Sequence, residues 1–84
     1  MNQIIIEIGK KVRKIRISLG FTQEQLAALS GLSNDYLSRL ELGKESPKVE
    51  TLCRICEALK VEIVELFLKD TVEPTNLDEF PHQE

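Results

Sequence analysis

Four polar residues in the middle of this 84-residue chain are spaced so that they fall on one side of a helix. They are Asn34, Asp35, Ser38 and Arg39. At about 100° per residue these positions group together, away from Leu37 and Leu40. An amide, a carboxylate, a hydroxyl and a guanidinium supply the hydrogen-bond donors and acceptors that complement the edges of bases. The face is therefore a candidate for base recognition.

Two short helices joined by a tight turn would position this face. Thr22 and Gln25 form a T-x-x-Q capping box, in which the Thr22 side chain accepts from the Gln25 backbone N–H and Gln25 reaches back to the Thr22 N–H. This pattern predicts that the first helix of the pair begins after Thr22. Gly31 predicts its end at about Ser30, because a chain leaving a helix commonly adopts the left-handed conformation.

The second helix of the pair is predicted from Ser33, a good N-cap residue, to about Leu42, before the stop signal Gly43. Apolar residues three positions apart predict the buried sides of both helices. These residues are Leu26 with Leu29 and Leu37 with Leu40. Residues 22–42 therefore have the layout of a helix-turn-helix.

Three further helices are predicted around this pair. The first spans residues 4–19 and ends at Gly20, with Gly9 tolerated inside it at a cost of about 1 kcal/mol. The fourth follows Ser46 and Pro47, which suit the N-cap and N1 positions, and the fifth spans residues 62–68. The apolar residues expected to bury these three helices are Ile8, Val12, Ile15 and Leu19, then Val49, Leu52, Cys53, Ile55, Cys56 and Leu59, then Ile63, Val64, Leu66 and Phe67.

Length and composition indicate the number of domains, the location of the protein and the order of its C-terminal end. A chain of this size buries about 60% of its unfolded surface, which is adequate for one small helical domain. The sequence has neither a secretory leader nor an apolar run long enough for a membrane span, so we expect a cytoplasmic protein without membrane contact. Residues 69–84 contain five acidic residues and two prolines, which predicts a weakly ordered acidic tail after a folded domain at 1–68.

Charge is distributed unevenly along the chain. The net charge of −3 alone argues against nucleic acid as a partner. Residues 1–48, however, hold eight Lys/Arg and five Asp/Glu, a balance of +3, whereas residues 49–84 hold three and nine, a balance of −6. The basic half contains the predicted helix-turn-helix, which fits a protein that turns one face to phosphates.

Over residues 8 to about 67 the chain resembles the Cro/C1-type (XRE) helix-turn-helix regulators of bacteria and phages. The residues that carry the resemblance are Arg16, Thr22-Gln23, Leu26-Ala27, Gly31, Leu40-Glu41, Gly43-Lys44, Pro47 and Leu52. It implies an all-α fold, a five-helix lambda-repressor-like DNA-binding domain. Such domains are usually dimeric on palindromic operators.

In a helix-turn-helix the second helix enters the major groove by its N-terminal end. Asn34 could then pair with adenine and Arg39 with guanine. Asp35 could accept from a cytosine amino group or orient Arg39, four residues later on the same face. Ser38 completes the four expected base contacts. The alternative is that all four side chains are merely solvated.

Five other residues are expected to contact the DNA backbone. Gln23 lies at a helix N-terminus, where free N–H groups and the helix dipole favour phosphate, and the resemblance implies that it clamps one. The other expected backbone contacts, which set register rather than sequence, are Ser33, Tyr36, Lys44 and Lys48. Tyr36 has an alternative role as an aromatic residue at the edge of the core.

The resemblance also implies an ion pair between Arg16, near the end of the first helix, and Glu41, near the end of the third. Such a pair would fix the orientation of the recognition helix more than it would add stability. A phosphate contact is a second role open to Arg16.

Catalysis and metal binding find little support in the sequence. Cys53 and Cys56 form a single C-x-x-C without a second pair, and the one histidine, His82, lies in the distant tail. Two buried small hydrophobic residues are the favoured interpretation, with metal binding or redox sensing as the alternative. No base adjoins a nucleophile, so we expect no catalytic residue, cofactor or metal and no enzyme.

The leading hypothesis is a sequence-specific regulator that binds a (pseudo)palindromic double-stranded DNA operator as a homodimer, with the third helix in the major groove. Two-fold operators need two recognition helices about 34 Å apart, so we expect dimerisation through the fifth helix. The cluster Ile4, Ile5 and Ile6 could pack under that helix or extend the dimer interface. The alternative function is an antitoxin or protein-interaction module that binds a partner protein through the fifth helix and the acidic tail.

Overall fold

The structure, a computed structural model, describes residues 2–68. Four α-helices and one short 3-10 helix, joined by loops, form this part of the chain. The α-helices are α1 (Gln3–Ser18), α2 (Gln23–Ser30), α3 (Asn34–Glu41) and α4 (Val49–Leu59), and the 3-10 helix is Ile63–Phe67. The all-α class is confirmed. The fifth predicted helix is a single 3-10 segment, and the predicted acidic tail lies outside the described residues.

Local capping chemistry sets the limits of α2 and α3. The Gln25 backbone N donates to Thr22 Oγ1 at 3.0 Å, and the Thr22 N donates to Gln25 Oε1 at 2.9 Å. Gly31 ends α2 with φ +71°, and the Ser33 hydroxyl accepts from the Tyr36 N at 3.0 Å to begin α3. Both helices therefore begin and end within one residue of the predicted positions.

One hydrophobic core forms where all five elements meet. Its fully buried side chains are Val12, Leu26, Leu37, Leu40, Ile55 and Leu66. Burying one such side chain stabilises the folded state by about 1.5–3 kcal/mol. Leu37 and Leu40 hold the inner side of α3 in this core, and Leu66 attaches the 3-10 helix to it.

Several predicted core residues are exposed instead. Leu29 is 59% exposed because α2 turns Leu26, Ala27 and Ser30 inward. Leu19 is 50% exposed and lies after the last residue of α1, as its C-cap. Val49 is 68% exposed, and Cys53 is exposed as well. Val64 and Phe67 on the 3-10 helix are also exposed, at 52% and 53%. These positions satisfy the apolar spacing but lie at helix ends or on the outer sides, where no other element of residues 2–68 covers them.

The predicted start of α4 at Ser46 and Pro47 is wrong. The helix begins at Val49 after Lys48, which has an extended backbone (φ −76°, ψ 158°) and makes no side-chain capping bond. Pro47 disfavours a helical conformation in the residue before it, so Ser46 and Pro47 belong to the loop that carries the chain from α3 to α4.

Gly9 is required by packing rather than merely tolerated. A Cβ atom at this position would lie 2.3 Å from the Leu40 carbonyl oxygen and 3.0 Å from the Glu41 carbonyl oxygen. Gly43, just after α3, also lies close to α1, since a Cβ at this position would lie 2.9 Å from Ile6 Cγ1. The start of α1 therefore packs directly on the backbone at the end of α3, the helix that carries the predicted base contacts.

Candidate nucleic-acid interface

The outer side of α3 carries the four predicted base contacts. Asn34 and Asp35 are exposed and Ser38 and Arg39 are half-buried, whereas Leu37 and Leu40 on the opposite side are buried completely or nearly so. The structure thus brings the four polar side chains to one side of one helix. Their contact with bases stays a prediction.

Arg39 is held between two carboxylates. Its Nε donates to Glu45 Oε2 at 2.7 Å, and its Nη1 donates to Asp35 Oδ2. The guanidinium carbon also lies over the Tyr36 ring, 6.0 Å from the ring centroid. The hydrogen bond to Glu45 is the main cause that raises the pKa of Arg39. An arginine guanidinium is in any case a cation in proteins.

Glu45 was not predicted from the sequence. It is six residues after Arg39, in the loop beyond α3, so helical spacing does not relate the two residues. Only the path of the loop brings its carboxylate back to the guanidinium. Asp35, in contrast, lies four residues before Arg39 on the same helix, and its contact with Arg39 is the second role suggested from the sequence.

Tyr36 lies at the edge of the core. It is half-buried and packs against the buried cluster, and this burial raises the pKa of its phenol, as does the nearby charge of Glu45. This packing matches the alternative role suggested for Tyr36, an aromatic residue at the edge of the core. The Arg39 guanidinium lies over the same ring. A phosphate contact by its hydroxyl stays a prediction.

Arg16 and Glu41 form a two-point ion pair in the interior. Arg16 Nε lies 2.7 Å from Glu41 Oε2, Nη2 lies 3.0 Å from Oε1, and Nη1 donates to the Phe21 carbonyl at 2.9 Å. The two side chains are only 9% and 1% exposed. The suggested phosphate contact of Arg16 is wrong, because all three guanidinium nitrogens are engaged and the side chain faces inward.

Gln23 joins the same network from the first residue of α2. Its amide nitrogen donates to Glu41 Oε1 at 2.9 Å, so the side chain is tethered beside the helix N-terminus. One carboxylate thereby links α1, the start of α2 and the end of α3. The other predicted backbone contacts, Ser33, Lys44 and Lys48, are exposed before and after α3.

Arg54 on α4 stabilises the turn of the helix-turn-helix and was not predicted. Its Nε and Nη2 lie 3.3 Å and 3.4 Å from the carbonyl oxygens of Ser30 and Gly31. These carbonyls end α2, where a cation also interacts favourably with the helix dipole. No local pattern relates residues 24 positions apart, so the sequence offered no signal for this contact.

The two cysteines differ in environment, so the prediction that both are buried is half wrong. Cys56 is buried and burial raises the pKa of its thiol, whereas Cys53 is exposed. Both are free thiols. Within residues 2–68 no group of three His, Cys, Asp or Glu side chains could hold a metal ion, and His82 lies outside that range. None of the described helices is long and apolar enough to cross a membrane.

A helix-turn-helix family model, HTH_3, matches residues 12–66. Among similar proteins, the uncharacterized HTH-type transcriptional regulator y4dJ of Sinorhizobium fredii is 44% identical over 59 residues, which cover 70% of this chain and 77% of the relative. The HTH-type transcriptional regulator SlrR of Bacillus subtilis is 39% identical over 66 residues. That match covers 77% of this chain but only 43% of SlrR, so the chain spans less than half of this relative.

Solved structures show the same arrangement of helices. The restriction-modification controller protein C.AhdI of Aeromonas hydrophila superposes with a TM-score of 0.74 at 33% identity, covering 75% of this chain and 96% of the controller. A second controller protein, C.Esp1396I, superposes with a TM-score of 0.73 at 30% identity over 80% of this chain and 88% of its own. That structure is bound to a 25 base pair operator site.

Proposed function

This chain belongs to the HTH_3 helix-turn-helix family of DNA-binding transcriptional regulators, not enzymes, and we propose that it binds a (pseudo)palindromic operator sequence-specifically as a homodimer. The observation that carries the proposal is the polar outer side of α3. It offers an amide, a carboxylate, a hydroxyl and a guanidinium on a helix that the core and the Arg16–Glu41 ion pair hold in place. Preorganised side chains of these types are what base recognition in a major groove requires.

Within this proposal each polar residue of α3 has a separate role. Asn34 pairs with adenine, Arg39 pairs with guanine, and Ser38 contacts a neighbouring base edge. Asp35 orients Arg39, a role that the contact between their side chains supports. The residues proposed to contact phosphates are Gln23, Ser33, Tyr36, Lys44 and Lys48.

The homodimer is supported by exposed apolar side chains on the 3-10 helix. Val64 and Phe67 are 52% and 53% exposed. They lie three residues apart and hence on the same side of a 3-10 helix, with Leu68 next to them at 51% exposure. Residues 2–68 leave this apolar side exposed, and a second copy of the chain would cover it. Ile4 on α1, 60% exposed, is a candidate to extend the same interface, while Ile6 packs on Gly43.

We place the DNA-binding domain at residues 1–68 and the protein in the cytoplasm, where operator DNA is found. The alternative role as an antitoxin or interaction module depends on residues 69–84, which lie outside the described part. No contact among residues 2–68 favours it over DNA binding.

Selection from a pool of random DNA duplexes tests the proposed function. We expect the full chain to enrich a two-fold symmetric site whose half-sites are centred about one helical turn apart, roughly 10 base pairs. Enrichment of no site would overturn the function. Enrichment of a single unrepeated half-site would overturn the dimeric mode while leaving sequence-specific binding intact.

Sedimentation equilibrium tests the dimer interface separately. Phe67→Glu should shift the chain to monomer, because it places a charge on the apolar side of the 3-10 helix. Val49→Glu is the matched control, since Val49 is also an exposed apolar residue, on α4. A dimer that survives Phe67→Glu but dissociates with Val49→Glu would place the interface elsewhere.

A further inference from the structure

We propose that Glu45 is a positioning residue, which fixes Arg39 in the orientation that reads a guanine and thereby sets the sequence preference of α3. The inference rests on the proposed DNA-binding function and adds a residue outside the helix-turn-helix that determines base preference. Glu45 lies in the loop after α3, and its carboxylate meets Arg39 Nε at 2.7 Å.

The hydrogen bonds of Arg39 leave a specific part of the guanidinium available. Glu45 accepts from Nε, which has a single N–H, and Asp35 accepts from Nη1. Among residues 2–68, Nη2 makes no hydrogen bond, so both of its N–H groups and one on Nη1 remain. Guanine presents two adjacent acceptors, O6 and N7, in the major groove, and the fork between Nη1 and Nη2 matches them.

Glu45 is better placed than Asp35 to fix this orientation. The Asp35 side chain is 81% exposed, so solvent screens its electrostatic attraction to the guanidinium. Asp35 also belongs to the same helix as Arg39. The Glu45 side chain is only 27% exposed and belongs to a different segment. A contact between two segments restrains the long Arg39 side chain relative to the whole fold. The Tyr36 ring supports the guanidinium from a third direction.

The two carboxylates also penalise binding to the wrong sequence. Asp35 and Glu45 carry two negative charges against the one positive charge of Arg39, so the cluster is net negative where DNA approaches. Phosphates alone are repelled by such a cluster, and only a base that offers two acceptors to Arg39 compensates for the repulsion. Removing Glu45 should therefore strengthen non-specific binding while weakening discrimination.

The test uses the full chain and the duplex that it enriches from random DNA, with a shuffled duplex for comparison. Arg39→Ala first identifies the base pair at which Arg39 acts. At that pair we expect the wild-type chain to prefer guanine over adenine by about tenfold or more. Glu45→Ala should reduce this preference by about threefold or more and raise affinity for the shuffled duplex. Glu45→Gln should fall between, because its amide oxygen still accepts from Nε.

Two further variants separate positioning from a general charge effect. Glu50→Gln removes one negative charge from the start of α4 and should leave the preference for guanine unchanged. The double variant Arg39→Ala/Glu45→Ala should discriminate no worse than Arg39→Ala alone, because Glu45 acts through Arg39. If adding Glu45→Ala to Arg39→Ala reduced the base preference by as much as Glu45→Ala does alone, the positioning role would be overturned.

The outcomes distinguish this inference from the function on which it rests. If the wild-type chain enriches no duplex, the proposed function and the inference both fail. If it enriches one and Glu45→Ala retains the full preference for guanine, only the inference fails. Circular dichroism of each variant shows whether the helices persist.

Discussion

Arg16 on α1 donates to both carboxylate oxygens of Glu41 on α3, from Nε at 2.7 Å and from Nη2 at 3.0 Å. Both residues are buried, and Gln23 on α2 donates to the same carboxylate. The end of α3 is thereby attached to α1 and to the start of α2 through one side chain. This attachment restrains the helix that carries the proposed base contacts.

Glu41→Gln should destabilise the fold, because it leaves the buried Arg16 guanidinium without a counter-charge. Breaking a buried pair in this way costs about 3 kcal/mol, at the lower end of the usual range because the amide oxygen still accepts one hydrogen bond. Urea unfolding measures the loss. The control is Glu50→Gln, on an exposed position, which should change stability by no more than about 0.5 kcal/mol. Equal effects of the two variants would show that the ion pair is unimportant for stability.

Gly9→Ala should destabilise the fold, although the same change inside an unobstructed helix stabilises it by about 1 kcal/mol. The added Cβ would lie 2.3 Å from the Leu40 carbonyl oxygen, so α1 and α3 would have to separate. Thermal unfolding of Gly9→Ala and of Lys10→Ala, at the exposed neighbouring position, checks this expectation. A higher midpoint for Gly9→Ala than for the wild-type chain would contradict the close packing.

The two thiols should react at different rates in the folded chain. Cys53 is exposed, whereas burial shields the Cys56 thiol and raises its pKa, which lowers the thiolate fraction that reacts. Iodoacetamide should therefore modify one site, Cys53, and reach Cys56 only after urea is added, as peptide mass spectrometry can show. The Cys53→Ser variant should take up almost no label while folded. Rapid labelling of Cys56 in that variant would show that α4 is not packed as described.

The parts of the fold that depend on neighbouring residues could be predicted from the sequence. Thr22, Gln25, Gly31 and Ser33 act within three or four positions of their partners, so the limits of α2 and α3 follow from residue type and spacing. Membership of the family was recognisable because several such short-range signals occur at fixed offsets. The Arg16–Glu41 pair came from that resemblance and not from any local rule.

The contacts between distant segments could not be predicted in this way. Leu29 satisfies the apolar spacing of α2, yet its exposure depends on which neighbouring elements cover the helix. Gly9 costs helix stability by propensity, and only the crossing with α3 shows why no larger residue fits. Glu45 and Arg54 reach their partners through the path of the chain in space, which residue spacing does not encode.

Measuring the base preference of Arg39→Ala tests most directly whether α3 reads DNA sequence. The selected duplex and its single-base variants would be titrated with the wild-type chain, Arg39→Ala and Gln23→Ala, at the same salt concentration. Arg39→Ala should weaken binding to the selected duplex by about 1–3 kcal/mol and lose preference at one base pair, while Gln23→Ala should weaken binding to every duplex alike. Equal losses on every duplex for Arg39→Ala would contradict base reading by α3.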